Sequence, residues 1–102
     1  MPTYLVNWKA VNARVPEENE ARLKHVTTQL QLVQQSLKQG KLKEWRTTPD
    51  GTRGIAIFEG NESELALEAM KYGPYFEFEF TPIMTAEQFA FVLKTVAQPI
   101  PV

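Results

Sequence analysis

Between residues 75 and 80 the chain reads Tyr-Phe-Glu-Phe-Glu-Phe. Successive side chains of a strand point to opposite faces of a sheet. A strict alternation therefore predicts a β-strand over residues 75–81, stopped by Pro82. Phe76, Phe78 and Phe80 share one face; Tyr75, Glu77 and Glu79 share the other. Three phenyl rings in a row need cover, while carboxylates do not. The segment thus demands an antiparallel sheet with one face packed on helices and one face open.

Two helices are available for that cover. Residues 16–39 place Leu23, Val26, Leu30, Val33 and Leu37 at 3-4-3-4 spacing, one apolar stripe on a long helix. Pro16 suits the first helical position, and Gly40 suits the residue after the last turn. Residues 61–72 form a second helix, opened by Asn61 and Glu64 at capping-box spacing and turned inward on Leu65, Ala69 and Tyr72, with Ala66 and Met70. Gly73-Pro74 ends it.

The remaining strands read as follows. Residues 3–9 are rich in aromatic and β-branched side chains, with Tyr4, Val6 and Trp8 on one face and Thr3, Leu5 and Asn7 on the other. Residues 41–48 hold Leu42 and Trp45 three apart, which needs a bulge or a strand start at Lys43. Thr48-Pro49-Asp50-Gly51-Thr52 is a turn, and residues 53–60 return as the other arm of a hairpin. Thr85 and Gln88 open a last helix over residues 85–97, and residues 98–102 are expected to be a loose tail. The glycines at 51, 54 and 60 are read as turn and strand-end residues.

The order is β-α-β-β-α-β with an additional C-terminal helix. It is an α+β, ferredoxin-like domain with a four-stranded antiparallel sheet, expected to occupy the whole chain with its core at residues 3–81. The first and third strands belong in the centre. The face away from the helices keeps some apolar groups whichever way each strand sits. A second copy related by a two-fold axis is the expected cover, with the C-terminal helix as the alternative within one chain.

Composition excludes several functions. Eleven basic against twelve acidic residues leave no electrostatic footprint for nucleic acid. The absence of cysteine removes disulfides and thiolate chemistry. No apolar stretch approaches the ~20 residues of a membrane span, and the N-terminal residues do not read as a secretory signal, so a cytoplasmic location is expected. One histidine, His25, and scattered acids lack metal-ligand spacing. No cofactor is expected.

The element order, the aromatic first strand Tyr4-Leu5-Val6-Asn7-Trp8 and the closing strand Tyr75-Phe76-Glu77-Phe78-Glu79-Phe80 resemble the dimeric α/β-barrel superfamily. That group includes muconolactone isomerase-like proteins, YCII-related proteins, antibiotic-biosynthesis-type monooxygenases and families without an assigned function. The resemblance covers residues 3–81 and rests on no signature motif. It implies a homodimer with two sheets face to face, and a pocket between sheet and helices or in the barrel mouth. In its heme-degrading and cofactor-free monooxygenase branches an Asn on the first strand lines the pocket, as Asn7 would. The heme branch also uses a His on the second helix, which this chain lacks.

Glu77 and Glu79 are the candidate catalytic residues. Two apart on a strand, they lie ~6.6–6.8 Å from each other on one face, and a sheltered carboxylate pair supplies a general acid or base. The plainer alternative places them on a wet face, or paired with Arg46 or Arg53. Asn7, Trp8 and Tyr75 are expected to line the ligand site, with Trp45 or Phe58 as a wall. The expected function is binding of a small organic molecule by a homodimer, with carboxylate-assisted proton transfer if it is an enzyme. The alternatives are a non-catalytic dimerisation module and a cofactor-free monooxygenase.

Overall fold

A computed structural model describes residues 2–11 and 16–97. A polar connection is expected over residues 10–15; β1 takes Ala10, and residues 12–15 and the tail at 98–102 lie outside the described residues. The elements are β1 (Thr3–Ala10), α1 (Asn19–Lys38), β2 (Leu42–Thr47), β3 (Arg53–Glu59), α2 (Glu62–Met70), a short 3₁₀ turn (Gly73–Tyr75), β4 (Phe76–Ile83) and α3 (Ala86–Ala97). The strands form one antiparallel sheet in the order β2-β3-β1-β4. This is the ferredoxin-like arrangement with an added C-terminal helix, and β1 and β3 are central.

Cross-strand partners share a face, so the register sorts every side chain. Val6 pairs with Ala56 and Phe80, and Trp8 pairs with Gly54 and Phe78. Leu42 pairs with Phe58, and Trp45 with Ala56. These residues make the helix-facing side. Its core joins Val6, Ala56 and Phe58 to Val33 of α1 and to Leu65 and Tyr72 beyond it. Phe58 is the pivot, with no exposed surface. Leu5, Asn7, Ile55, Ile57, Glu77 and Glu79 fall on the opposite side, which no described helix covers. The ambiguity over which face β1 presents is thereby removed.

Local chemistry explains most boundaries. The shift between Leu42 and Glu44 makes Lys43 the extra residue, as the Leu42/Trp45 spacing required. Gly40, at φ 79°, ends α1: its N–H donates to the Leu37 carbonyl, and that of Lys41 to the Ser36 carbonyl, the pattern of a Schellman cap. The Asn61–Glu64 capping box is formed reciprocally.

Four expectations are corrected. Helix α1 starts at Asn19 rather than Pro16, because the Glu18 carboxylate caps it, accepting from the N–H groups of Glu20 and Ala21. Strand β4 runs through Pro82 to Ile83. It is an edge strand, where a residue without an N–H is tolerated. Gly54 is not a turn residue: a Cβ there would sit 1.9 Å from the Arg46 carbonyl oxygen and 2.7 Å from Cζ2 of Trp8. Its lack of a side chain lets the Trp8 indole lie against the hairpin. Met70, expected on the inner face of α2 with Ala66, is exposed, as is Ala66.

The hairpin turn yields a prediction. Asp50 accepts hydrogen bonds from the hydroxyls of Thr48 and Thr52 and from the Thr52 N–H. The Thr48 and Thr52 hydroxyls, then the Thr52 amide, lower its pKa from 3.8 to about 2. A depressed carboxylate stabilises the fold above its unfolded pKa, and that contribution disappears as pH falls through the folded value. Protection of the hairpin amides from hydrogen exchange is therefore expected to weaken between about pH 4 and pH 2. The carboxyl ¹³C shift of Asp50 should titrate with a midpoint near 2; a midpoint at 3.8 or above contradicts the turn geometry.

Candidate functional site

The two helices do not seal the sheet. Between them and the strands lies a cavity of about 640 Å³, within the ~300–1,000 Å³ range of small-molecule sites. Its walls are mainly apolar and aromatic, with Val6, Trp8, Val33, Phe58, Phe76 and Phe78 prominent among them. Trp8 and Trp45 stack in parallel with centroids 5.3 Å apart, and Phe76 meets Trp8 edge-on at 5.7 Å.

The cavity exists because of how α1 is rotated. The expected core stripe is largely outside: Leu23 is 68% and Val26 52% exposed, and only Val33 of the five is buried. The line that faces inward instead runs through His25, Gln29, Leu32 and Ser36, which are half-buried or buried. His25, Gln29 and Ser36 each precede an apolar stripe residue by one position, and one residue is about 100° of helix rotation. A helix that turns its Leu/Val stripe partly away and its polar line inward does not pack as a core helix.

The polar line has a partner on α2. Glu68, 5% exposed, lines the cavity. Its carboxylate accepts from the Ser36 hydroxyl, from Tyr72 OH at 3.4 Å and from Lys71 Nζ at 3.0 Å. Ser36 has no exposed surface and Tyr72 is buried. A buried polar group needs hydrogen-bond partners, and this carboxylate has three donors. Burial, and then the adjacent Glu68 charge, push the Tyr72 phenol far above its usual value of about 10, so it stays a neutral donor. The result is a buried carboxylate at the wall of a mainly apolar chamber, whose other polar lining includes His25, Gln29 and Asp50. The sequence signal for it was a polar residue on an apolar line, since Leu65, Glu68 and Tyr72 are three and four apart.

The sheet divides the expected site residues into two groups. Trp8, Trp45 and Phe58 line the cavity. Asn7, Glu77 and Glu79 lie on the open face, where Asn7 is directly opposite Glu79 and Lys9 opposite Glu77. Together with Arg53 and Ile55 they border a shallower depression of about 450 Å³. All three are exposed. Arg46, a candidate partner for the two glutamates, pairs with Glu44 at 2.9 Å. Tyr75 belongs to neither group: it sits in the 3₁₀ turn before β4 rather than on the polar face of the strand. Its ring lies against His25 at 4.4 Å, tying the turn to α1. The monooxygenase reading needs Asn7 in the pocket, and the sheet stands between Asn7 and the cavity. Among the described residues no group of three or more His, Asp or Glu side chains is arranged to hold a metal ion. No described helix is long and apolar enough to cross a membrane.

A ferredoxin-like sheet with an apolar chamber under its helices defines an α+β protein with a candidate ligand site. The chain belongs to the DUF3303 family, described as a domain of unknown function, whose family model matches residues 2–97. No curated protein matches it.

Proposed function

We propose that this protein binds a small, largely apolar organic molecule in the cavity between sheet and helices, and does so as a homodimer. The observation that carries the reading is the cavity itself: about 640 Å³ with aromatic walls and a buried, hydrogen-bonded carboxylate, Glu68. Apolar walls supply affinity, and a few fixed polar groups supply orientation. Ligand donors would be held by Glu68, and the stacked Trp8–Trp45 pair would contact a flat ring. The dimer is supported by the bare sheet face. Leu5 and Ile57 form a cross-strand pair there, flanked by Ile55, 41% exposed, and Ile83, 37% exposed. A second copy packed on that face would dry these residues, as the dimeric barrel resemblance implies.

A second reading attaches to the other depression, because it brings Asn7, Glu77 and Glu79 together. Enclosed between two sheets, the glutamates would form a proton-transfer pair with Asn7 orienting the substrate.

The first reading is tested with the apolar probe N-phenyl-1-naphthylamine. Saturable binding of one probe per chain, with quenching of the two tryptophans, is the expected result. Ala69→Phe, which places a ring in the cavity lining, should abolish it. Absence of saturable binding, or binding indifferent to Ala69→Phe, overturns the reading.

A further inference from the structure

Helix α3 is fully formed and wholly exposed. Its N-terminus is capped reciprocally, the Gln88 N–H donating to Thr85 Oγ1 and the Thr85 N–H to Gln88 Oε1. Yet none of its 12 residues is buried. Phe89, Val92, Leu93 and Val96 line one side at 3-1-3 spacing, between 40% and 76% exposed, and Phe91 adds a further ring at 70%. Isolated helices shorter than ~12–15 residues are marginal in water. A helix this short with an apolar stripe needs a surface to lie on.

The dimensions show that α3 does not fold back into a compact single chain. The Cα envelope measures 69 × 23 × 21 Å, with a radius of gyration of 17.7 Å. A compact chain of this length has a radius of about 13 Å. The exposed area is 7857 Å², against about 5,900 Å² for a compact monomer of this mass. The excess of about 2,000 Å² per chain, doubled, lies within the ~2,000–5,000 Å² of obligate dimers.

The same chain holds a matching seat. On α1 the stripe Leu23, Val26, Leu30 and Leu37 is exposed. It spans 15 residues, about 21 Å of helix from first to last, and α3 is about 18 Å long. Helix α1 packs on β2, at the edge of the sheet opposite β4. A two-fold axis that runs along the strands and stacks two open faces sets β4 of one copy over β2 of the other. The end of β4, two residues before Thr85, then lies at the partner's β2 edge, around which α3 would pass to reach the partner's α1.

We propose that α3 is an exchanged arm: in a two-fold dimer it docks on the exposed α1 stripe of a second copy of this chain. Val26 and Leu30 also line the cavity, so each arm would wall the ligand chamber of the other protomer, and the chamber is incomplete in one chain alone. This rests on the dimer of the preceding section and not on the identity of any ligand.

The chain has no cysteine, which makes the test clean. Leu30→Cys is combined in turn with Phe89→Cys, Val92→Cys, Leu93→Cys and Val96→Cys in the full chain, and each variant is oxidised. At least one pair should give a disulfide-linked dimer on a non-reducing gel, while each single variant should not. Light scattering of the parent should give about twice 11.7 kDa, falling to the single-chain mass in Val92→Asp/Val96→Asp with its circular dichroism otherwise kept. A disulfide closed within one chain, a monomeric parent, or a dimer that survives both aspartates overturns the proposal. Loss of N-phenyl-1-naphthylamine binding in an intact dimer would count against the cavity reading alone.

Discussion

Phe58→Ala is expected to destabilise the fold by about 3–5 kcal/mol, the usual cost of removing a buried aromatic ring. The upper part of that range applies because of where the ring sits. Phe58 has no exposed surface, and its strand is central, held between β1 and β2. Its cross-strand partners are Tyr4 and Leu42, and a Cβ on Gly60 would stand only 2.9 Å from its ring. Collapse around the void would have to move three strands at once. The adjoining cavity makes refilling harder still, because the helices already stand off the sheet. Urea melts of parent and variant check this through the midpoint at unchanged slope. A loss below about 1 kcal/mol would mean that the core is centred elsewhere. Val33→Ala, on the same side, should cost less, since it removes fewer buried atoms.

How legible was this in the sequence? The strands were, because their period of two is set by the backbone alone. The Phe/Glu sorting of β4 and the Asp50-Gly51 turn each came from a local rule that tertiary packing did not override. The bulge at Lys43 was readable for the same reason. The rotation of α1 was not. A Leu/Val stripe at helical spacing is identical whether it faces its own sheet, a cavity edge or another molecule. Only the register of Ser36 against Glu68 distinguishes these cases, and the two are 32 residues apart. Glu68 does not stand out in the sequence because a glutamate on a short helix is ordinarily solvated. What sets it apart is the line it shares with Leu65 and Tyr72. The perfect alternation of residues 75–80 places Tyr75 on the strand. The left-handed Gly73, at φ 60°, and Pro74 extend the turn one residue further.

The second large effect is expected at Glu68, and it separates a structural carboxylate from an idle one. In Glu68→Ala the hydroxyls of Ser36 and Tyr72 lose their acceptor while remaining buried. Each unsatisfied group costs about 1–3 kcal/mol, so a combined loss of about 2–6 kcal/mol is expected. Lys71, 35% exposed, turns to water and adds little. Glu68→Gln keeps an acceptor for Ser36 and should recover more than half of the stability. An alanine variant within about 0.5 kcal/mol of the parent would show that the cluster is not closed as described. The Tyr72 phenol supplies an independent readout. Because its folded pKa is raised, the stability it contributes is complete below the unfolded value of about 10 and is lost as pH climbs above it toward the folded value. Phenolate absorbance should therefore show one of the three tyrosines failing to ionise in the native protein at pH 11. Removing the neighbouring charge in Glu68→Gln should bring that ionisation to lower pH, and Tyr72→Phe should flatten the alkaline decline in stability. A native protein whose three tyrosines titrate together near 10 would place Tyr72 in water, and with it the inner wall of the cavity.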